Sequence, residues 1–157
     1  MDERKVTIEL ISQFLDARQW NYRVTGDGRI ETGFQGEAAR LFVRIWLRET
    51  PVLALTAAVD LPFIVPSERR GQAAETAVRA NCCWSGPSRF DMDMSDGTIH
   101  CVTVLPICDG TLTQQQFDAS FNSTLGLADR YFRAFARLLY GDDLSPAEVI
   151  AEVEMAK

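Results

Sequence analysis

The hydrophobic positions of this chain change period several times, and each change predicts a new element. Apolar residues over residues 3–18 recur at three- and four-residue spacing, which predicts a first helix. From Trp20 onward apolar and polar residues alternate, as is typical of half-buried strands. Four strands are predicted in this part of the chain. The last of them, over residues 52–59, is nearly all apolar, and we expect it to be buried on both faces.

The second half of the chain adds a helix, a hairpin and two further helices. Residues 66–68 open the second helix, which we predict to end near Asn81. Two alternating strands follow, joined by a turn at residues 95–97. Thr113 and Ser145 each begin a capping-box sequence, which predicts a long helix and a short final one. The order α-β-β-β-β-α-β-β-α-α separates helices from antiparallel strands and predicts an α+β fold.

Composition narrows the class of protein. The 157 residues suit one domain, which we expect to span residues 1–157, and 46% of them are hydrophobic. The formal charge of −6 argues against a nucleic-acid partner. No apolar window reaches the roughly 18 residues of a membrane span. The first five residues are mostly charged and no apolar signal core follows, so we expect a cytoplasmic protein.

One histidine and an aspartate-rich hairpin are the candidates for catalytic chemistry. His100 and Cys101 are neighbours on one strand and face opposite ways, so they cannot form a dyad. Asp91, Asp93 and Asp96 resemble a calcium loop, but the glycine and the final carboxylate are out of place. We therefore predict a non-enzymatic protein without cofactor or metal. The alternative is a small-ligand-binding protein, or an enzyme whose cleft gathers His100 with these acids.

The four cysteines offer no metal-binding spacing, because the chain lacks a C-x-x-C pair and has one histidine. We expect buried apolar thiols at all four positions: Cys82, Cys83, Cys101 and Cys108. A redox role for Cys82-Cys83, close to Arg79, is the alternative, and it requires an exposed thiolate.

One strand carries aromatic and arginine side chains on the same face. Phe42 and Trp46 alternate in phase with Arg40, Arg44 and Arg48. If a helix covers this face, the aromatic residues belong to the core. If the face is open, it has the composition that is enriched at protein interfaces. We favour the open face and predict that Phe42, Arg44 and Trp46 bind a protein partner.

The second helix is poor in large apolar residues, and small ones form its apolar face. Small side chains let another backbone approach closely, and two-fold dimers are the commonest soluble oligomers. We therefore predict a homodimer whose interface includes four residues of this helix: Ala73, Ala74, Ala77 and Val78.

Several segments together resemble the YbjN-domain family. Residues 90–99 resemble the family hairpin F-x-x-D-x-x-D-G-x-[IV], and a strand ending in Leu105-Pro106 follows. The likeness extends from about residue 11 to residue 140. Its other parts are Leu112-Thr113, residues 128–132, residues 61–62, residues 65–70 and Ala80-Asn81.

The resemblance implies a fold similar to type III secretion chaperones, in which helices pack on a curved antiparallel sheet. Those proteins are small, acidic, often homodimeric and non-enzymatic. The family itself is described as a regulator of sensory transduction. The resemblance thus implies a protein-binding or regulatory module that is chaperone-like, with a partner that the sequence does not identify.

Overall fold

A computed structural model describes residues 5–156, and within them the elements follow the predicted order. The helices and strands are α1 (Ile8–Ala17), β1 (Tyr22–Val24), β2 (Ile30–Gln35), β3 (Arg40–Arg48), β4 (Ala54–Ile64), α2 (Arg70–Cys83), β5 (Arg89–Met92), β6 (Thr98–Pro106), α3 (Gln114–Tyr140) and α4 (Pro146–Met155). A short 3-10 turn, Ser67–Arg69, precedes α2.

The six strands form one antiparallel sheet in the order β1-β2-β3-β4-β6-β5. Register makes the two faces explicit, because directly paired residues lie on the same side. Val43 pairs with Val59, and Val59 pairs with Cys101; all three are fully buried on the face that carries the core. Phe42 pairs with Asp60, and Asp60 pairs with His100, on the opposite face. The predicted α+β class with an antiparallel sheet is confirmed.

The core lies between the sheet and α3, a helix of 27 residues that is about 40 Å long. Its apolar face carries the largest buried side chains, and one of them, Phe135, meets Phe90 of β5 with ring centroids 5.0 Å apart. Helix α1 packs on α3 through Phe14 and Phe117, whose centroids are 5.6 Å apart. Helices α2 and α4 pack against each other and against α3. The apolar positions that recur along the helices and strands thus meet in one core on one side of the sheet.

Two helix boundaries differ from the predictions. The first helix begins at Ile8, because the hydroxyl of Thr7 caps it by accepting the Leu10 amide at 3.4 Å. The prediction of helix at residues 5–7 is therefore wrong, and residues 3 and 4 lie outside the described part. Helix α2 begins only at Arg70, after the 3-10 turn, and continues to Cys83. It passes Asn81 because that side chain bonds the Phe90 backbone of β5, accepting from its amide at 2.7 Å.

Other local predictions are confirmed. Thr113 and Ser145 both form complete capping boxes, with Gln116 and Glu148 returning the hydrogen bond. The strand predicted over residues 52–59 begins only at Ala54: residues 54–59 are buried on both faces as predicted, whereas Val52 precedes the strand and is 40% exposed. Residues on the face of β4 opposite the core, Ala54 and Ala58 among them, are also buried, although they lie outside the main core cluster.

Candidate functional site

The sheet face opposite the helices is the candidate functional site, and we call it the open face. Its residues are those in register with Phe42 on β3: Arg23 on β1, Glu31 and Gly33 on β2, Arg40, Arg44, Trp46 and Arg48 on β3, Asp60 on β4, His100 and Val102 on β6, and Arg89 and Asp91 on β5. Phe42 is 44% exposed there, although phenylalanine is usually buried. The sequence left open whether a helix covers this face. Within residues 5–156 no helix covers it.

A hydrogen-bonded trio occupies the centre of the open face. The Oδ1 atom of Asp60 accepts from Arg44 Nη2 at 2.7 Å and lies 2.7 Å from His100 Nδ1. Burial raises the pKa of Asp60, but the hydrogen bonds from Arg44 and His100 outweigh it and hold the pKa below its usual value. Asp60 sits where the register of β4 shifts against β6, before Ile64. Asp60 is the last residue before this shift, and its carboxylate contacts one side chain from each neighbouring strand.

Trp46 is held by cationic groups. The guanidinium carbon of Arg44 lies 5.9 Å from the ring centroid, and that of Arg29 lies 5.6 Å from it. The Trp46 ring is partly exposed and paired in register with Thr56. The structure therefore brings Phe42, Arg44 and Trp46 onto one surface, and Asp60 fixes the geometry of the arginine among them.

A groove of about 630 Å³ borders Phe42 at the β1 side of the sheet. Gly33, the register partner of Phe42, forms part of its floor because it has no side chain to fill the space. Arg23, Glu31 and Arg40 line it, and Arg23 forms an ion pair with Glu31. Arg40 makes no ion pair or side-chain hydrogen bond with the described residues.

The acids proposed for an alternative enzymatic site do not gather in a cleft. Asp91 is exposed and bonds Arg89 at 3.1 Å. Asp93 accepts from the Ser95 side chain and amide, which hold its pKa below the usual value, and Asp96 accepts from Thr98. These aspartates shape an exposed hairpin turn. Within residues 5–156 no group of three or more His, Cys, Asp or Glu could hold a metal ion.

The cysteine prediction is wrong at three of four positions. Cys101 is buried beneath α3, whereas Cys82, Cys83 and Cys108 are exposed. Burial raises the pKa of the Cys101 thiol. Cys82 and Cys83 end α2, where the helix emerges into the loop before β5, and this position accounts for their exposure. All four are free thiols.

The four predicted interface residues of α2 fall on two sides of the helix. Ala73 and Ala77 are buried within the chain itself, at 0% and 5% exposure, where α2 packs against β5 and α4. Ala74 is partly exposed, and Val78 is 61% exposed. Only the latter two offer surface to a second chain, and the predicted dimer stays a prediction.

A second feature, which sequence analysis missed, is a cleft of about 540 Å³ beside α3 and α4. The β2–β3 turn at residues 36–39 forms one wall, and Asp129 of α3 holds that turn. Its carboxylate accepts the amide of Glu37 at 3.1 Å and that of Ala38 at 3.2 Å. The arginines Arg130, Arg133 and Arg137 of α3 also line the cleft. Their spacing of three and four residues was the available signal, because it places them on one helix face.

These observations define the class of protein. It is an α+β protein with helices on one face of its sheet and an aromatic and arginine-rich open face on the other. A family model described as "YbjN: Putative bacterial sensory transduction regulator" matches residues 7–137. The chain therefore belongs to the YbjN family, as the hairpin and helix motifs predicted. No curated protein matches it significantly.

A solved structure shares the fold. The crystal structure described as "YbjN, a putative transcription regulator from E. coli" is similar at a TM-score of 0.55 and 15% sequence identity. The similarity covers 85% of this chain and 94% of that one. Among the described residues no helix has the length and apolar character to cross a bilayer. The family is described as one of putative sensory transduction regulators, and the fold of this chain is similar to that of the YbjN crystal structure.

Proposed function

We propose that this chain is a non-enzymatic regulatory module that binds a protein partner through the open face. The observation that carries the proposal is the exposure of Phe42 beside Arg40 on a helix-free sheet face, with Arg48 at the other end of the same strand. Aromatic and arginine side chains are the residues most enriched where protein interfaces derive their affinity. An apolar ring left 44% exposed is stabilised when a partner removes it from water.

Charge indicates the chemistry of the partner. Among the described residues, the open face carries five arginines and three carboxylates, although the whole chain has a formal charge of −6. The carboxylates already pair with arginines of the same face: Arg23 with Glu31, Arg44 with Asp60, and Arg89 with Asp91. Arg40 and Arg48 are left without ion pairs in the described structure. We therefore propose a partner segment that carries carboxylates around an apolar side chain.

The arrangement around His100 supports a role without catalysis. His100 hydrogen-bonds Asp60, which also accepts from Arg44, and among the described residues no Ser or Cys side chain hydrogen-bonds the histidine to act as a nucleophile. Holding a segment of another protein on a sheet face is chaperone-like. A cytoplasmic location is part of the proposal, and it agrees with free thiols at all four cysteines.

Site-specific photocrosslinking in cells tests the proposed surface. A p-benzoylphenylalanine at Phe42 should yield a crosslinked protein, whereas the same group at Tyr140, which is 73% exposed, should not. Arg40→Glu should abolish the Phe42 adduct, because a partner carboxylate would then be repelled. Arg133→Glu, at another exposed arginine without an ion pair in residues 5–156, serves as the charge control.

Two results would contradict the proposal. One is an adduct at Tyr140 as abundant as at Phe42. The other is a Phe42 adduct that survives Arg40→Glu unchanged. Folding of each variant is checked by circular dichroism. The four substituted residues, Phe42, Tyr140, Arg40 and Arg133, are all exposed, so we expect every variant to fold and a missing adduct to report on the surface itself.

We further propose that the chain forms a homodimer through the exposed side of α2. Support comes from Val78, an apolar residue 61% exposed on a helix whose neighbouring side chain, Ala74, is small. Val78→Arg adds a charge there without disturbing the interior, which Ala77→Arg would do. Sedimentation velocity should show a dimer for the unmodified chain and a monomer for Val78→Arg. A monomer for the unmodified chain at high micromolar concentration contradicts the dimer and leaves the open-face proposal untouched.

A further inference from the structure

The cleft beside α3 and α4 has the size and lining of a small-molecule site. Its volume of about 540 Å³ falls within the range of ligand pockets, which is roughly 300–1,000 Å³. Six of its thirteen lining residues are small and apolar: Ala38, Gly126, Ala134, Val149, Val153 and Ala156. The indole of Trp84 adds an aromatic surface. The other six are charged, and such groups can orient a ligand on an apolar surface.

Two walls of the cleft are fixed before any ligand arrives. The indole of Trp84 is anchored by its Nε1, which donates to Ser123 at 3.2 Å. The ring lies so close to α3 that a Cβ on Gly126 would stand 3.2 Å from its Cη2 atom. The opposite wall, the β2–β3 turn, is held by the two hydrogen bonds to Asp129. A site with fixed walls binds with a smaller entropic cost than one that must close.

One of the three guanidinium groups that line the cleft forms no ion pair with the described residues. Arg137 binds Glu152 through two hydrogen bonds of 3.2 and 3.1 Å, and Arg130 binds Glu154 at 3.0 Å. Arg133 lies between them on the helix and makes no ion pair or side-chain hydrogen bond within residues 5–156. A single free guanidinium matches the planar, singly charged carboxylate better than a phosphate dianion.

The acidic residues that line the cleft affect how tightly an anion should bind there. Asp129 accepts two backbone amides, and Glu152 is paired with Arg137. Glu37, exposed on the turn, has no ion pair with the described residues, so its charge opposes an anion in the cleft. Removal of the Glu37 charge should therefore tighten anion binding, and removal of the Arg133 charge should weaken it.

We propose that this cleft binds a small organic carboxylate with a flat apolar body. The carboxylate is bound by Arg133, and the body packs against Trp84 and the small residues of α3 and α4. The proposal is independent of the open face, since Arg40 and Phe42 do not line the cleft.

The test uses 2-naphthoate as the probe and 2-naphthamide as its neutral analogue. In proton–nitrogen correlation spectra, naphthoate should shift the indole Nε1–H signal of Trp84 saturably, with that signal assigned through Trp84→Phe. Arg133→Gln should weaken naphthoate binding about fivefold, which corresponds to the roughly 1 kcal/mol that a well-formed exposed ion pair contributes. Glu37→Gln should strengthen it by about twofold, and Lys5→Gln, the control at an exposed cation that lines neither the cleft nor the open face, should leave it unchanged.

Several outcomes overturn the proposal. Naphthoate that leaves the Trp84 signal unmoved shows that the cleft takes no such ligand. Naphthamide that binds as tightly as naphthoate shows an apolar cleft without an anion site. An equal loss in Lys5→Gln and Arg133→Gln shows a nonspecific effect of charge. Arg133 is exposed, so the variant should fold; if it does not, the naphthoate–naphthamide comparison on the unmodified chain still decides.

Discussion

The contact between the β2–β3 turn and α3 yields a sharp prediction about stability. Gly36 lies against the carboxylate of Asp129, and a Cβ at Gly36 would overlap that carboxylate. The φ angle of Gly36 is outside the left-handed region, so an alanine there is opposed by this contact rather than by the backbone. Gly36→Ala should therefore displace the Asp129 side chain and break both of its hydrogen bonds, to Glu37 and Ala38.

The magnitude follows from those two bonds. A partly exposed amide–carboxylate hydrogen bond contributes about 0.5–1.5 kcal/mol net, so the pair contributes about 1–3 kcal/mol. Asp129→Ala should lower the free energy of unfolding by this amount, and Gly36→Ala should lower it by a similar amount for the same reason. The double variant should be no less stable than Asp129→Ala, and an alanine at Gly36 then gains roughly 0.4–1 kcal/mol from the unfolded chain.

Urea unfolding followed by circular dichroism measures all four corners of this cycle. Gly26→Ala is the control, because a Cβ at Gly26 meets nothing within 4 Å. Additive losses from Gly36→Ala and Asp129→Ala would refute the reasoning, since they would show that the two changes break different interactions. A loss in Gly26→Ala equal to that in Gly36→Ala would show that replacing a turn glycine by alanine is costly in either turn, with or without the contact to Asp129.

Three further predictions concern the core, the open face and the thiols. Thr103→Val removes a buried hydroxyl that lies 2.7 Å from Thr124 and bonds Ser88, so the free energy of unfolding should fall by about 1–3 kcal/mol; no loss in urea unfolding would mean that the hydroxyl network contributes nothing. Asp60→Asn should destabilise the protein most near neutral pH. Because the pKa of Asp60 is lower in the folded than in the unfolded chain, its carboxylate stabilises the fold above the unfolded pKa of about 3.9, and this stabilisation is lost as pH falls through the folded pKa. The difference in free energy of unfolding between Asp60→Asn and the unmodified chain should therefore shrink below about pH 4 in urea titrations. A difference that grows toward acid pH would contradict the direction of the pKa shift. Thiol titration of the native protein should detect three reactive cysteines and a fourth only on unfolding, because Cys101 is buried; four reactive thiols in the native state would contradict its position.

The element order was predictable because local signals agreed with one another. The Thr113 capping box begins α3 where the helical period of the apolar residues also begins. Boundaries that depend on tertiary contacts were not predictable. The sequence predicted that the second helix ends near Asn81. In the structure the Asn81 side chain hydrogen-bonds the backbone of Phe90 in β5, nine residues later in the sequence. Its role depends on where β5 lies, which no local pattern specifies.

The open face was predictable in composition but not in its geometry. Alternation placed Phe42, Arg44 and Trp46 on one side of β3, and only the packing of the helices decided that this side is uncovered. The role of Asp60 depends on β3, β4 and β6 together, because Arg44 and His100 reach it from both neighbouring strands. The cleft escaped prediction for the same reason, since its lining comes from elements far apart in sequence.

The β2–β3 turn is the structural link between the open face and the cleft. Its residues Glu37 and Ala38 line the cleft, and the strand that follows begins with Arg40 and carries Phe42 onto the open face. Asp129 fixes the turn, so its loss should loosen both surfaces at once. Arg133→Gln and Arg40→Gln each change one surface and leave the turn intact. The two surfaces are therefore joined by one short hydrogen-bonded segment, although the side chains that line them differ.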